Sequence, residues 1–410
     1  MRPPLPTGPY LIVGLARSGA AAARMLLPHG EVIAADRASP EPPPGVEAHL
    51  GSDGVELLDR VACVVKSPGV PNEAPAIVTA RKRGIPVLGE LELAWRLLPN
   101  RFVAVTGTNG KTTTCELLGA IYGEGGVVAG NVGTPLSSLV GNVDERAVIV
   151  CEVSSFQAED SEAFAPETAL LLNLEEDHLD RHGTFDAYRE AKLRLFANQT
   201  AEHVAVAPPG IDLPGSARRV VFGDPAQLPL PVEEVRLRGR HNLENAMGAS
   251  AAALASGVPA DAVARGLRTF AGVPHRLEEV GTVDGVLYVN DSKATNVASA
   301  VRGIEAFDGG VHAILGGSLK GGGFEGLRGA VASRCRACYL IGQAAERLER
   351  DLEGAAPLRR CGDLERAVRA ASSAAAPGEV VLLSPACASY DQFRDYEERG
   401  ERFRALVARA

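Results

Sequence analysis

The chain has 410 residues, 46% of them apolar and 23% charged, with a formal net charge of −9. That is too long for one ordinary core and suits a globular protein of two or three domains; the negative balance disfavours nucleic acid as a partner, and no run approaches the ~18 apolar residues of a membrane span. The N-terminus leads into a strand rather than a signal peptide, and seven scattered cysteines, an odd number, fit a reducing compartment, so a cytoplasmic protein is expected.

Residues 1–97 alternate strand and helix signals. Tyr10 to Gly19 is a strand running into a glycine turn, followed by an alanine-rich helix to Leu27, and Glu31 to Asp36 is the next strand. An acid about 20 residues past a glycine turn is where a ribose partner stands in a dinucleotide fold, although Gly14 and Gly19 alone do not complete that fingerprint. Pro40 to Pro44 is a surface loop. Cys63 to Val70 is a further strand-to-loop crossing, in which Gly69 lets a ligand come close. This domain reads as built to hold something nucleotide-like at its strand ends.

Residues 98–273 open on the most informative stretch of the chain. A β-type run from Phe102 enters Thr106-Gly-Thr-Asn-Gly-Lys-Thr112, and an apolar-periodic helix follows from Thr113 to Tyr122. Glycines at a strand-to-helix turn let backbone N–H groups face a phosphate at a helix N-terminus, Lys111 adds a mobile positive charge, and the Thr112 hydroxyl suits Mg²⁺. Only two residues separate Gly107 from Gly110, fewer than in the usual phosphate loop. The reading is an ATP site formed by Gly107, Thr108, Asn109, Gly110, Lys111, Thr112 and Thr113.

Two buried parallel strands are expected next, over 147–157 and 169–180. Glu152 is the only acid in the first apolar run, and an acid there is costly unless it meets a cation, here Mg²⁺ or a structural partner. The second delivers His178 among several acids, as a ligand or simply a hydrogen-bonded side chain. Phe185 to Phe196 is an amphipathic helix carrying Lys192, which by itself reads as a snorkelling lysine. Loops and short edge strands fill Pro208 to Pro231. A long helix after Gly239 places Asn242 and Asn245 three apart, either at an adenine edge or as ordinary helix-start polarity.

From residue 274 a third α/β unit begins. Val286 to Asn296, Ala313 to Gly323 and Val380 to Ser389 each run from a strand into a polar or glycine-rich loop, which makes a second ligand-binding edge. One compositional fact cuts across all three regions. Only six of 42 basic residues are lysine: Lys66, Lys82, Lys111, Lys192, Lys293 and Lys320. A chain that otherwise chooses arginine keeps lysine where a compact or deprotonatable amine is needed, or retains it by codon bias alone.

Taken in order, Thr106-Gly-Thr-Asn-Gly-Lys-Thr112, Glu152-Val-Ser-Ser-Phe-Gln157, Asn173-Leu-Glu-Glu-Asp-His178, Tyr188-Arg-Glu-Ala-Lys192, Gly239-Arg-His-Asn242 and His275-Arg276 resemble the motifs of the Mur ligases, ATP-dependent amide-forming enzymes of peptidoglycan assembly. Asn290-Asp-Ser-Lys-Ala-Thr-Asn296 and the run from Leu383 to Phe393 are similar to the members that add D-glutamate.

The resemblance implies an α/β protein of three domains: a Rossmann-like UDP-binding domain over 1–97, a central P-loop ATPase domain with a mostly parallel sheet over 98–273, and a Rossmann-like lid over 274–410 that brings the amino acid. It implies a ligase joining D-glutamate to UDP-N-acetylmuramoyl-L-alanine through an acyl phosphate, with release of ADP and phosphate, in peptidoglycan precursor synthesis and so in cell-wall biogenesis, cell shape and division. A monomer is expected.

By the same carry-over, Lys111, Glu152, His178 and Lys192 would be catalytic. Lys192 would be carbamylated by CO₂, and Thr112, Glu152, His178 and the carbamate would hold two Mg²⁺ ions. Asn242, Asn245, Arg276, Asp291 and Lys293 would contact ATP. Gly14, Leu15, Ala16, Asp36, Arg37, Ser67, Gly69, Asn131, Ser154 and Gln157 would line the UDP-sugar, and Thr295, Lys320 and Ser389 the D-glutamate. Ala16, where a hydroxyl residue is expected, and Tyr390 and Tyr396, where more apolar neighbours are usual, depart from the pattern. A nicotinamide oxidoreductase built on Gly14 to Asp36 would leave the phosphate loop, Glu152 and Lys192 unexplained.

Overall fold

The computed structural model describes residues 2–237, 239–319 and 322–409. Contacts divide the chain into two compact units, residues 1–235 with 244–269, and residues 236–243 with 270–410. The first unit holds two parallel sheets. In one, β1 (Tyr10–Val13), β2 (Val32–Asp36), β3 (Glu47–Leu50), β4 (Cys63–Lys66) and β5 (Val87–Gly89) lie in the order β3-β2-β1-β4-β5. The order reverses between β1 and β4, and a doubly wound sheet opens a crevice beyond the carboxyl ends of its strands at such a point. Gly14 and Ser67, next after those two strands, stand there.

In the second sheet, β6 (Arg101–Thr106), β7 (Gly126–Gly130), β8 (Val148–Glu152), β9 (Thr168–Leu171), β10 (Val204–Ala207) and β11 (Arg218–Val221) take the order β11-β10-β9-β6-β8-β7, all parallel. β6 therefore delivers its glycine loop between the ends of β8 and β9. One apolar cluster runs through both sheets, with Phe164 edge-on to Trp95 and Phe102 at 5.5 and 6.0 Å.

The second unit carries β12 (Glu278–Val283), β13 (Val286–Asn290), β14 (Val311–Gly316), β15 (Cys335–Ile341), β16 (Leu358–Gly362) and β17 (Val380–Leu383) in the order β12-β13-β17-β14-β15-β16. β12 is antiparallel to β13 and the rest are parallel. The three sheets with their helices make the expected three-domain α/β fold. No described helix is long and apolar enough to cross a membrane, and none of the seven cysteines is in a disulfide, Cys335 and Cys338 at C-x-x-C spacing on β15 included.

Several expected boundaries move for identifiable reasons. The strand expected over 147–157 stops at Glu152, because Ser154 and Gln157 close a reciprocal capping box that starts the helix Ser155–Ala158. The strand expected over 169–180 ends at Leu171, where the chain leaves the sheet to bond the phosphate loop, and the helix Leu179–His182 follows. The helix expected from Thr113 begins at Lys111. The hairpin of β12 and β13 adds a strand to those expected, and Asp284-Gly285 signals it: both residues have positive φ, 48° and 78°, as a two-residue primed turn requires.

Candidate active site

The phosphate loop is fixed from two sides. Gly110 caps the helix Lys111–Tyr122 in the left-handed region at φ 83°, and a Cβ there would lie 2.1 Å from Asn245 Oδ1, so only glycine fits against that buried asparagine. On the other side Asn173 accepts from the Thr108 and Asn109 amides through its backbone carbonyl (3.1 Å) and Oδ1 (2.9 Å). The amides of Thr108 and Asn109 are thus spent on the neighbouring loop. The first turn of that helix, from Lys111, carries the positive end of its dipole. Tyr188 donates its hydroxyl to Thr108 Oγ1 at 3.0 Å, pinning the loop to the helix Phe185–Ala197.

Two lysines converge on one carbonyl. Lys111 Nζ donates to Gly107 O at 2.9 Å and to Thr108 O at 3.0 Å, and Lys192 Nζ donates to the same Gly107 O at 2.8 Å. Lys192 is only 1% exposed and sits 4.6 Å from the centre of the Tyr188 ring. Burial and the Lys111 charge push its amine down to about 7, against the pull of Asp177 and Glu152. Lys111, joined by Lys192 when that amine is protonated, puts positive charge beside one carbonyl within a glycine turn, an arrangement that suits an anion. Sequence reading treated Lys192 alone as a snorkelling side chain; the buried amine overturns that.

Glu152 ends β8 with 2% of its surface exposed and accepts from Asn131 Nδ2 at 2.9 Å. The Asn131 amide in turn donates to the Glu152 carbonyl at 2.9 Å. Its donor chemistry, a buried carboxylate oxygen near the phosphate helix with the Thr112 hydroxyl in that helix's first turn, fits a hard cation such as Mg²⁺. His178 caps the helix Leu179–His182 in a left-handed conformation, φ 51°, with its ring 4.9 Å from that of Phe156 and 6.3 Å from that of Tyr188. It is half exposed and lies 3.6 Å from Asp177. Among the described residues no three His, Cys, Asp or Glu side chains group to hold an ion. Ser154 and Gln157 are engaged with each other through the capping box, at 3.1 and 3.2 Å.

At the β1/β4 switch point, Asp36 takes the Leu15 amide on Oδ2 at 2.6 Å and the Ala38 amide on Oδ1 at 2.7 Å. Ser67 Oγ donates to Gly14 O at 2.7 Å, joining the two loops. Ala16 leaves the helix Arg17–Leu26 without a side-chain cap, and a Cβ on Gly69 would meet nothing, so the space beside that loop is open. Arg37 is exposed. Arg17 donates to the Gly133 carbonyl.

In the second unit the ends of β13 and β17 carry the remaining positions. Asp291 is buried, accepts from Ser384 Oγ at 2.7 Å and from the Leu277 amide at 3.3 Å, and burial raises its pKa to about 7. It therefore braces the turn holding Arg276. Lys293 donates to the Tyr396 hydroxyl at 2.5 Å and lies 3.8 Å from that ring's centre, which gives the unexpected Tyr396 a task. Thr295 is half-buried, Ser389 is buried, and Tyr390 beside it is exposed. Lys320 lies outside the described residues. Arg399, fully buried on the helix Tyr396–Val407, donates to the carbonyls of Ser292 (2.8 Å) and Cys387 (3.1 Å) and so ties the two loops together. Sequence reading missed it, since one arginine in a charged helix carries no signal. Asp177 and Asn173 were missed as individuals inside a motif already singled out. A cavity of ≈ 530 Å³ bordered by Tyr288, Val368, Ser372 and Leu406 holds none of these residues.

Comparison with known proteins follows the same three-part division. Residues 9–89 match the Mur ligase MurD-like N-terminal domain, 105–214 the Mur ligase middle domain, and 275–387 the Mur ligase glutamate ligase domain. A UDP-N-acetylmuramoylalanine–D-glutamate ligase of Acidobacterium capsulatum is 42% identical over 97% of this chain and 95% of its own, and one of Anaeromyxobacter dehalogenans is 44% identical over 97% and 96%. Among solved structures, the MurF ligase of Thermotoga maritima in complex with ADP superposes with a TM-score of 0.59 at 18% identity, covering 99% of this chain and 96% of that one. The UDP-N-acetylmuramate-alanine ligase of the same organism gives 0.57 at 16%, covering 98% and 99%; both show a shared fold. With relatives above 40% identity along nearly the whole chain, this protein is an enzyme of the Mur ligase family and belongs with its UDP-N-acetylmuramoylalanine–D-glutamate ligases.

Proposed function

We propose that the enzyme joins D-glutamate to UDP-N-acetylmuramoyl-L-alanine, spending ATP through an acyl phosphate, as a cytoplasmic monomer with domains over 1–97, 98–273 and 274–410. The observation that carries the reading is the convergence of Lys111 and buried Lys192 on the Gly107 carbonyl at the phosphate loop. A carboxylate attacks ATP only if the repulsion between two anions is relieved. Lys111 and the first-turn amides do this for the transferring phosphoryl. The L-alanyl carboxylate takes the γ-phosphate, and the D-glutamate amine displaces phosphate from that carbonyl to form the amide.

Lys192 is suited to carry CO₂ as a carbamate. Its lowered pKa supplies the neutral amine that the addition needs, and the resulting anion would face Lys111 in place of a second cation. Thr112, Glu152, His178 and the carbamate would hold Mg²⁺, which when bound neutralises phosphate charge. Asn245 against Gly110, with Asn242 on the same helix and Arg276, Asp291 and Lys293, would hold the nucleotide. Gly14, Leu15, Ala16, Asp36, Arg37, Ser67 and Gly69 would bind the uridine diphosphate, with Asn131, Ser154 and Gln157 toward the sugar's reacting end. Gln157 would act chiefly by holding Ser154 in place.

Phosphate release from ATP with UDP-N-acetylmuramoyl-L-alanine tests the reading, comparing D-glutamate with L-glutamate, L-alanine, L-lysine and meso-diaminopimelate. Turnover with D-glutamate alone is expected; turnover with a different acceptor would overturn the assignment. Thr295, Lys320 and Ser389 would form the amino-acid pocket. Lys320→Ala should raise the KM for D-glutamate by about 10- to 100-fold, the loss of a charge-assisted contact, with the KM for ATP nearly unchanged. An unchanged D-glutamate KM would misplace the pocket.

A further inference from the structure

Of the two lysines outside every motif, Lys82 is exposed but Lys66 is fully buried. A buried ammonium is tolerated only where it is paired, and Lys66 meets two carboxylates, Asp160 Oδ2 at 2.5 Å and Glu159 Oε1 at 3.3 Å. Glu159 Oε1 also accepts from Arg181 at 2.5 Å, and Glu159 Oε2 lies 3.7 Å from His182 Nδ1. Arg181 sends the same nitrogen to the Val70 carbonyl at 3.1 Å, and its guanidinium lies 4.9 Å from the centre of the Phe156 ring. His182 Nε2 reaches Ser155 Oγ at 3.1 Å.

The placement of these groups along the chain gives the cluster a direction. Lys66 is the last residue of β4, directly before the Ser67–Val70 loop at the switch point. Glu159 and Asp160 follow the helix Ser155–Ala158, whose cap is Ser154. Arg181 and His182 end the short helix whose cap is His178. Lys66 and Arg181 therefore hold the loop at the diphosphate end, while Glu159 and His182 hold both helices at the reacting end. Asp160 is also 3.9 Å from Arg81, so its charge is shared on the first-sheet side as well.

Resting on the ligase reading above, we propose that Lys66, Glu159 and Arg181 form an ionic brace that sets the span between the uridine diphosphate loop and the helices facing the reacting end of the same substrate, making Lys66 a positioning residue for the nucleotide-sugar. A brace of this kind matters only to a ligand that bridges both ends. UDP alone occupies one end and does not sense the span.

The test compares UDP with UDP-N-acetylmuramoyl-L-alanine in wild type, Lys66→Met/Asp160→Asn and Arg181→Gln. The double variant removes both members of the tightest pair together, and Arg181→Gln serves if that protein does not fold, since Arg181 reaches the surface. The expected result is a KM for the nucleotide-sugar raised about tenfold or more through misplacement of the reacting end, with UDP affinity and the KM for ATP within about twofold of wild type. An unchanged nucleotide-sugar KM, or equal weakening of UDP and nucleotide-sugar, would overturn the brace. Absence of turnover in the wild type would count against the ligase reading instead, and direct binding of the two nucleotides would still decide the brace.

Discussion

Lys192→Arg should lose about 10³-fold or more in phosphate release while keeping its fold, because arginine stays protonated and cannot take up CO₂. The wild-type amine is fully enclosed, sits beside Tyr188 and donates to Gly107 O at 2.8 Å, so a guanidinium would keep the positive charge but never become an anion. With two permanent cations at one carbonyl, the site would lack the carboxylate-like ligand proposed above. A thermal melt separates this from unfolding, since a larger group in a packed site costs about 1–3 kcal/mol. Lys192→Ala leaves room instead, and added acetate or formate should restore part of the rate. Full activity in Lys192→Arg would end the carbamate proposal.

Glu152→Gln should lower kcat/KM by about 10²- to 10³-fold and raise the Mg²⁺ concentration needed for half-maximal rate, since the buried anion proposed to hold Mg²⁺ beside the phosphate is removed. The change keeps the side chain's shape, and its remaining carbonyl oxygen can still accept from Asn131 Nδ2, now at 2.9 Å from Glu152. Stability should hold or rise, because a carboxylate 98% removed from solvent costs more to bury than an amide. Equal Mg²⁺ dependence in the two proteins would mean that Glu152 is a structural partner of Asn131 and not a metal ligand. The melting temperature and the Mg²⁺ titration are expected to move independently, which a folding defect would not produce.

The parts of this enzyme legible in the sequence are those whose chemistry is local. The turn from Thr106 to Thr112 carries its strand, glycines and helix within a few residues, and the structure keeps that order. Glu152 stood out because an acid in an apolar strand is costly, and it is found buried at the strand end. Strand ends were harder to read. Ser154-x-x-Gln157 is a capping box, but the apolar run before it extended the strand reading past Glu152. β12 carries a weak strand signal because its side chains are mostly half exposed, even though Asp284-Gly285 marks the turn that follows.

By itself, then, the sequence determined the α/β alternation, the phosphate loop and the order of the motifs, because backbone turns and apolar periodicity act over a few residues. Tertiary structure alone decided that Lys192 and Lys111 share the Gly107 carbonyl, that the amides of Thr108 and Asn109 are already used by Asn173, that Asn245 closes on Gly110, and that Lys66 is a buried ion. Each of those facts depends on partners tens of residues away. A lysine reads the same in any helix or strand until burial removes its water, and only the fold says which carbonyl or carboxylate replaces it.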